Sequence, residues 1–588
     1  MRDRQYVNPA DTRAAIKAVV LDAIHDSPRV LIDTISGRLL HKSEQAKAFK
    51  SLPVFNKLIS SMTARIDHAQ IKRIVTDYYR YGMFSHKWED IEPLFKEVIN
   101  KNVYELEESL AHDKLKTVCK IIRDDGLKWA WSDTCCINQE DPTVLQEALV
   151  SMFKWYEGSA LTVVYLRDVP LRRLVDSIWN QRAWTLQEYH ASRVVRFYNG
   201  DWTLYKNLDI PNHKSSPEII SEMENATGIS ASALMALQPG LEDIREKLRL
   251  ASTRQSTRVE DAAYSLFGIF SVSLSAVYGE GDQALGRLLA QLLTSSGDTS
   301  ILAWTGRSGR FNSFLPAQIS VFNEMPTSYI PLAPMTSEME TITGGSCDSS
   351  LSLTSLTRLY DRLNELHVPL FVGQRMKLSC LSFKLGPLSP SRSRSSQVFR
   401  AQTTILGVVE IKTEVDLSRH SPLYLVHPWI DFLLDRQPVG SVLETVSENT
   451  EDYQSSSTRR LLTFPETIPE EANGQLSPIT LPTPNQGATG FASLFELSFG
   501  GRSTARPQDA ESLLPPSTLA QTDKQMLALQ VLARLRQPFG ALLLTSSSGN
   551  VAAYRRVAPE SLITVQVEKI TPAILERLID SVRVLDVL

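Results

Sequence analysis

Arg182-Ala183-Trp184-Thr185-Leu186-Gln187-Glu188 is the stretch whose residue types and spacing bear most directly on chemistry. On a helix Trp184 and Glu188 lie one turn apart and share a face. A tryptophan anchored in the domain would then hold the Glu188 carboxylate toward any cleft beside it. From these residues alone the plainer reading is a solvated glutamate on a helix surface. Ser85 and His86 are adjacent and offer half of a nucleophile–base pair. With no third member evident, a hydrogen-bonded loop histidine is the simpler expectation. Cys135 and Cys136 cannot form an ordinary unstrained disulfide and lack the separation of metal ligands, so they read as small buried side chains. The segment 278–284 (YGEGDQA) fits GxGxxA superficially. It lacks a clear preceding strand of a βαβ unit and reads as a tight turn into a helix. The chain has no GxxxxGK[ST], HExxH or GxSxG, so none of the chemistries those motifs carry is indicated.

The elements that must position these residues alternate between short apolar runs and amphipathic stretches. Residues 81–86 (YGMFSH), 128–133 (KWAWSD), 160–166 (ALTVVYL) and 193–198 (RVVRFY) are candidate strands, the third apolar enough to be buried on both faces. Between the first two, Leu115, Val118, Cys119 and Ile122 follow helical spacing and Gly126 sits where a C-terminal cap belongs. Asp141-Pro142 opens a second helix that stops at Gly158, and a third is expected over 179–191. This order specifies a doubly wound, mainly parallel α/β sheet with helices on both faces. Right-handed crossovers place the strand carboxyl ends along one edge, where such sheets bind ligands. Ser85, His86, Asp133, Arg167 and Asp168 fall at those ends.

With 588 residues, 43% of them hydrophobic, the chain is long enough for about three or four domains, or two with a disordered connector, and needs no disulfide or metal staple. Its 62 Lys and Arg against 66 Asp and Glu give a net charge of −4, which argues against a nucleic-acid coat. Five scattered cysteines without a CxxC point to a reducing compartment. The N-terminus lacks the apolar run of a signal peptide, and no segment approaches the ~18 apolar residues of a membrane helix. A soluble intracellular protein is expected. Residues 1–78 read as a mixed helical N-terminal region. Seven of the nine tryptophans fall within 88–202, which marks a compact α/β core over 79–204. A helical extension is expected over 205–304, then a β-rich C-terminal domain over 310–588. About 447–523 of the latter, rich in Ser, Thr, Pro and Glu, is expected to be a disordered insertion.

Taken in order, several blocks resemble the fungal heterokaryon-incompatibility (HET) domain. They are YGMFSHKWED (81–90), KWAWSDTCCINQED (128–141), MFKWYEGSALTVVYLRDV (152–169) and RAWTLQE (182–188). EDAAYSLFGIF and AVYGEGDQALGRLL within 260–289, then DTSILAW (298–304), resemble the segment that follows the core in many such proteins. The resemblance covers residues 80–304. One departure is Glu89, where the family usually carries glycine and so tolerates a strained turn.

HET domains are similar, more remotely, to Toll/interleukin-1-receptor (TIR) domains, which are doubly wound α/β domains. Many TIR domains hydrolyse NAD with a glutamate four residues after a tryptophan, in a Trp-Cys-x-x-Glu helix. Trp184 and Glu188 match that spacing, with Thr185 in the cysteine's place. The resemblance therefore implies Glu188 as the catalytic carboxylate, with Ser85, His86, Trp88, Asp133 and Trp184 shaping the substrate site. Breaking a nicotinamide–ribose bond develops an oxocarbenium-like centre that a carboxylate stabilises, and the pyridinium leaves without an acid. The implied function is non-self recognition and cell-death signalling of the innate-immunity kind, by a latent NAD-consuming core activated through self-association. NAD would be substrate; no cofactor, metal, nucleic acid or membrane is implied, and the sensor or partner protein is unidentified. The location expected is cytoplasmic. The alternative is a non-catalytic adaptor acting through homotypic HET–HET contacts, with Trp184 in the core and Glu188 in a surface salt bridge.

Overall fold

Short runs of three to six residues build the central sheet: Val30–Asp33 (β1), Leu39–His41 (β2), Tyr81–His86 (β3), Trp129–Ser132 (β4), Leu161–Leu166 (β5) and Val195–Asn199 (β6). The computed structural model of the protein describes residues 7–323, 353–428, 531 and 535–588, apart from 170, 228–229, 231, 233–236, 367–368, 392–396, 421, 548–552, 561 and 568–569. The expected insertion at 447–523 lies outside the described residues.

Strand order is β2-β1-β4-β3-β5-β6, with β4, β3, β5 and β6 parallel and β1 and β2 antiparallel. Winding runs from β3 out to β4, then back across β3 to β5 and on to β6, so its direction reverses at β3. In such sheets the crevice beside the reversal, at the strand carboxyl ends, is where ligands bind. β5 is buried along its whole length. Its pleat sends Leu161, Val163 and Tyr165 into one apolar cluster and Val164 and Leu166 into another, so both faces are covered.

Three helices make the crossovers. Leu110–Asp124 joins β3 to β4; the Ser109 hydroxyl accepts from His112 N, and Leu115, Val118, Cys119 and Ile122 form its buried stripe. Gly126, at φ +81°, provides the left-handed exit. Pro142–Gly158 joins β4 to β5, its N-terminus capped by Asp141 through Thr143 N and Val144 N. Ala183–Ala191 precedes β6 and is shorter than expected. Residues 179–182 form turns instead, because Trp179 is turned into the core and its carbonyl accepts from the Thr185 hydroxyl at 2.7 Å.

The N-terminal region is more than helical. Helices Pro9–His25, Lys42–Ser51, Pro53–Ser61 and His68–Tyr79 pack around Ile16, Phe49, Ile71 and Val75. The β1–β2 hairpin, however, joins the central sheet through Ile32 opposite Ala130. Its strands are too short to announce themselves by alternation, and only pairing with β4 defines them.

After β6 the chain is helical, with Pro217–Thr227, Ile244–Ser252, Asp261–Tyr264 and Gln283–Ser296. The segment read as GxGxxA is a turn into the last of these. Gly279 (φ +102°) and Gly281 (φ +63°) turn their N–H groups onto the Glu260 carboxylate at 2.8 and 2.9 Å. Gly268 lets this extension approach the core: a Cβ there would lie 2.1 Å from Cβ of Phe153 in the Pro142–Gly158 helix.

The C-terminal part holds Leu370–Val372 (β7), Arg375–Lys384 (β8), Ser389–Ser391 (β9), Gln397–Thr403 (β10), Gly407–Thr413 (β11), Leu423–Pro428 (β12), Phe539–Ser547 (β13), Ala553–Arg556 (β14), Ile563–Val565 (β15) and Val582–Val587 (β16). Pairings run β8–β12–β13–β14–β16 and back to β8, closing a five-stranded barrel without free edges. β9, β10 and β11 form a separate antiparallel sheet. Val582–Val587 (β16), paired with both β14 and β8, is the strand that completes the barrel. Met376, Leu378, Leu544 and Val587 share a cluster with Leu288 and Leu292 of the extension, so the barrel packs on it directly.

Gly268→Ala would force a methyl group against Phe153. A loss of about 1–3 kcal/mol is expected, read as a lower thermal midpoint of the full chain. An unchanged midpoint would show that the extension is not seated at this contact.

Candidate functional site

Ser85 and His86 end β3, and adjacency on a strand sends them to opposite faces. The Ser85 hydroxyl accepts from the Trp179 indole N–H at 2.7 Å and donates to Glu188 Oε2 at 2.5 Å. Glu188 is only 5% exposed. Burial pushes its carboxyl up to about 7; the neighbouring Asp133 adds to this, and Ser85, Arg182 and Tyr156 pull against it. Glu188 is thus neither solvated nor in a surface salt bridge, as the plainer sequence reading had it.

His86 makes no pair with Ser85. Its ring is buried in the strand, stacked on Phe84 at 4.1 Å, with Nε2 3.6 Å from Glu92 Oε2 and neither nitrogen hydrogen-bonded. The expected hydrogen-bonded loop histidine is therefore a buried strand residue. Burial lowers its pKa, which favours the neutral ring. Glu92 Oε1 accepts from Lys114 Nζ and from the Glu89 N–H, each at 2.6 Å. Burial opposes ionisation of Glu92, yet His86 and Lys114 hold its carboxyl below the usual range.

Those bonds anchor the loop after β3, which carries Trp88. The Trp88 indole donates to Asp133 Oδ2 at 2.7 Å, while Asp133 Oδ1 is buried with no hydrogen-bond partner among the described residues. Burial raises Asp133, against the pull of His86 and Trp88. Glu89 is not among the residues with positive φ, so its place in the loop demands no glycine. Its carboxylate pairs with Arg167. Cys135 and Cys136 are buried as small side chains.

Beside Asp133 lies a pocket of about 530 Å³. One wall is the core, with Lys87, Trp88, Asp133, Arg182 and Trp184; the other is the extension, with Arg258, Asp261 and Tyr278. Asp261 accepts from the Tyr278 hydroxyl at 2.9 Å and from the Trp184 indole. Of the six residues singled out from the sequence, Trp88, Asp133 and Trp184 line this pocket. Ser85 and Glu188 are joined to each other behind Asp133 and are not part of the lining, and His86 faces Glu92.

Sequence reasoning missed the extension's contribution. Arg254, half-buried, donates to the Arg182 carbonyl at 3.0 Å, Thr185 Oγ1 at 2.9 Å and Asn180 Oδ1 at 3.0 Å. It fastens the start of the Ala183–Ala191 helix and sets a positive charge near Glu188; burial lowers its pKa to about 10. Gln255 exchanges backbone bonds with Gln181 and Ala183. The only signal for these residues was that 260–289 belonged to the same run of blocks as the core. Among the described residues no cluster of three His, Cys, Asp or Glu could hold a metal ion, and no helix is long and apolar enough to cross a membrane.

Residues 81–170 match the family model described as Heterokaryon incompatibility protein (HET), and the chain carries a heterokaryon-incompatibility domain in that span. "Vegetative incompatibility protein HET-E-1" of Podospora anserina is 34% identical over 223 residues. That match covers 35% of this chain and 16% of the relative, so the chain spans about a sixth of its length. No solved structure matches the chain.

Glu188 yields a pH prediction. A carboxyl raised from 4.5 to about 7 on folding keeps its proton where the unfolded chain has released it. Its contribution therefore falls as pH rises between those values and levels off above. Glu188→Gln removes the titration. Its stability relative to the parent should rise by up to about 3 kcal/mol between pH 4.5 and pH 8, read by urea unfolding at each pH. A difference that does not vary with pH would mean that Glu188 ionises normally.

Proposed function

We propose that this chain acts in fungal non-self recognition and cell-death signalling, in the cytoplasm. Its α/β core is read as a TIR-like, latent NAD-hydrolysing unit, switched on by self-association. Incompatibility as the role is supported by the matched domain and by the name of the Podospora anserina relative. Hydrolysis is supported above all by one observation, the Glu188 carboxyl held by Ser85 at the carboxyl end of β3, beside Asp133. A carboxylate fixed there meets the need of an oxocarbenium-like centre, since its orientation is set before reaction and low polarity strengthens its field. Trp88 and Trp184 offer flat apolar faces to the rings of the substrate. The reaction requires Asp133 or Trp88 to give way, so that the glycosidic carbon reaches Glu188.

That same requirement favours a second reading. Glu188 and Ser85 are closed off from the pocket, as suits a buried structural pair in an adaptor that works by homotypic contacts alone.

The test is loss of NAD over time by the full chain fused to an assembly domain. Turnover is expected, falling by about 10²–10³-fold in Glu188→Gln, the scale of removing a preorganised electrostatic group. Because the ionised carboxylate is the active form, kcat/KM of the parent should rise with pH, with its midpoint near 7. Turnover unaffected by Glu188→Gln would move the chemistry to another residue. No turnover from a folded, assembled chain would favour the adaptor.

A further inference from the structure

Three cations, Lys87, Arg182 and Arg258, line the pocket, and none makes an ion pair within 4 Å or a side-chain hydrogen bond to another described residue. Elsewhere on the surface such groups are commonly paired, as Arg167 is with Glu89 and Arg310 with Asp282. The two carboxyls in the same lining accept from neutral donors, Asp133 from Trp88 and Asp261 from Tyr278 and Trp184, and feel Arg182 and Arg258 only at a distance. Arg258 lies over the Tyr278 ring at 4.2 Å, a contact that orients the guanidinium without neutralising it. Three cations against two carboxyls, both of them raised by burial, leave the lining net positive, and an anion would balance that charge.

We infer that Lys87, Arg182 and Arg258 form a diphosphate subsite, with the Trp88, Trp184 and Tyr278 rings receiving the attached heterocycles. Guanidinium forks match phosphate oxygens in pairs, and lysine adds a point charge. Arg258 and Tyr278 come from the extension, so the core without it lacks one of the three cations and one of the three rings. For the identity of the ligand as a dinucleotide the inference rests on the reading above; the anion subsite stands on geometry alone.

The experiment is calorimetric titration of the full chain with inorganic pyrophosphate, ADP, ADP-ribose and adenosine. Pyrophosphate, ADP and ADP-ribose should bind, with adenosine at least about tenfold weaker, and ADP binding should weaken as ionic strength rises. Arg258→Ala and Lys87→Ala should each raise the Kd for ADP by about tenfold or more without changing the thermal midpoint. Lys87 sits in a loop apart from the extension, so it tests the subsite even if Arg258→Ala unfolds. Equal affinity for adenosine and ADP, or ADP binding untouched in both variants, overturns the subsite. Arg258-dependent ADP binding by an assembled chain that leaves NAD intact supports the subsite while removing the hydrolase reading. NAD turnover with KM unchanged in both variants does the reverse.

Discussion

The Ser85 hydroxyl sits where β3, the turn at Trp179 and the Ala183–Ala191 helix meet, and it satisfies two buried groups at once. A serine hydroxyl can donate one hydrogen bond and accept two. Here it accepts from the Trp179 indole and donates to Glu188. Without it the Trp179 indole N–H would be left unpaired in a dry interior, at a cost of about 1–3 kcal/mol, and Glu188 would keep only Tyr156 as a hydrogen-bond partner. The constraint spreads outward. Trp179 must face inward to reach Ser85, so the chain turns at 179–182, and the helix begins only where Thr185 can reach the Trp179 carbonyl. Arg254 then fastens that same start from the extension. The direction of Glu188 follows from all of these contacts together.

On the opposite face of β3 a second buried network, His86–Glu92–Lys114, governs the loop rather than the helix. Glu92 takes the Glu89 N–H, so the ion pair beneath the loop sets the path of the backbone that presents Trp88. Asp133, next in the chain after β4, stands between the two networks. Its negative charge opposes ionisation of Glu188, and His86 favours ionisation of Asp133. Two carboxyls in one low-polarity site resist ionising together, and Arg182 and Arg254 offset part of that repulsion.

The C-terminal barrel is joined to this arrangement through Arg556. Its buried guanidinium lies 3.9 Å over the Trp304 ring and donates to the Trp304 carbonyl at 2.7 Å. Burial lowers its pKa to about 9. Asn312 ties the same segment to the final strand through the Val587 carbonyl. DTSILAW, legible as a family-like block, thus serves as the link between the extension and the barrel.

Local pattern carried the four parallel strands and two of the crossover helices, because each has its own signal. β5 is continuously apolar, the helix after β3 shows a stripe ending at Gly126, and Asp141-Pro142 marks a helix start. From β3 and its neighbours the sequence also put Ser85, His86 and Asp133 at one sheet edge, while Glu188 was tied to them only by the family resemblance. It could not say that Ser85 faces Glu188 while His86 faces away, since a one-residue pleat decides that and pairing sets the pleat. The β1–β2 hairpin and the closing strand β16 were likewise hidden, because a three- to six-residue strand is defined by its hydrogen-bonded neighbours rather than by its residues. The pocket was least legible of all. About a third of its lining comes from residues 255–278, roughly seventy to ninety positions beyond Glu188. Their nearness is a product of packing, here of Gly268 against Phe153 and Arg254 against the helix start, which no local pattern records.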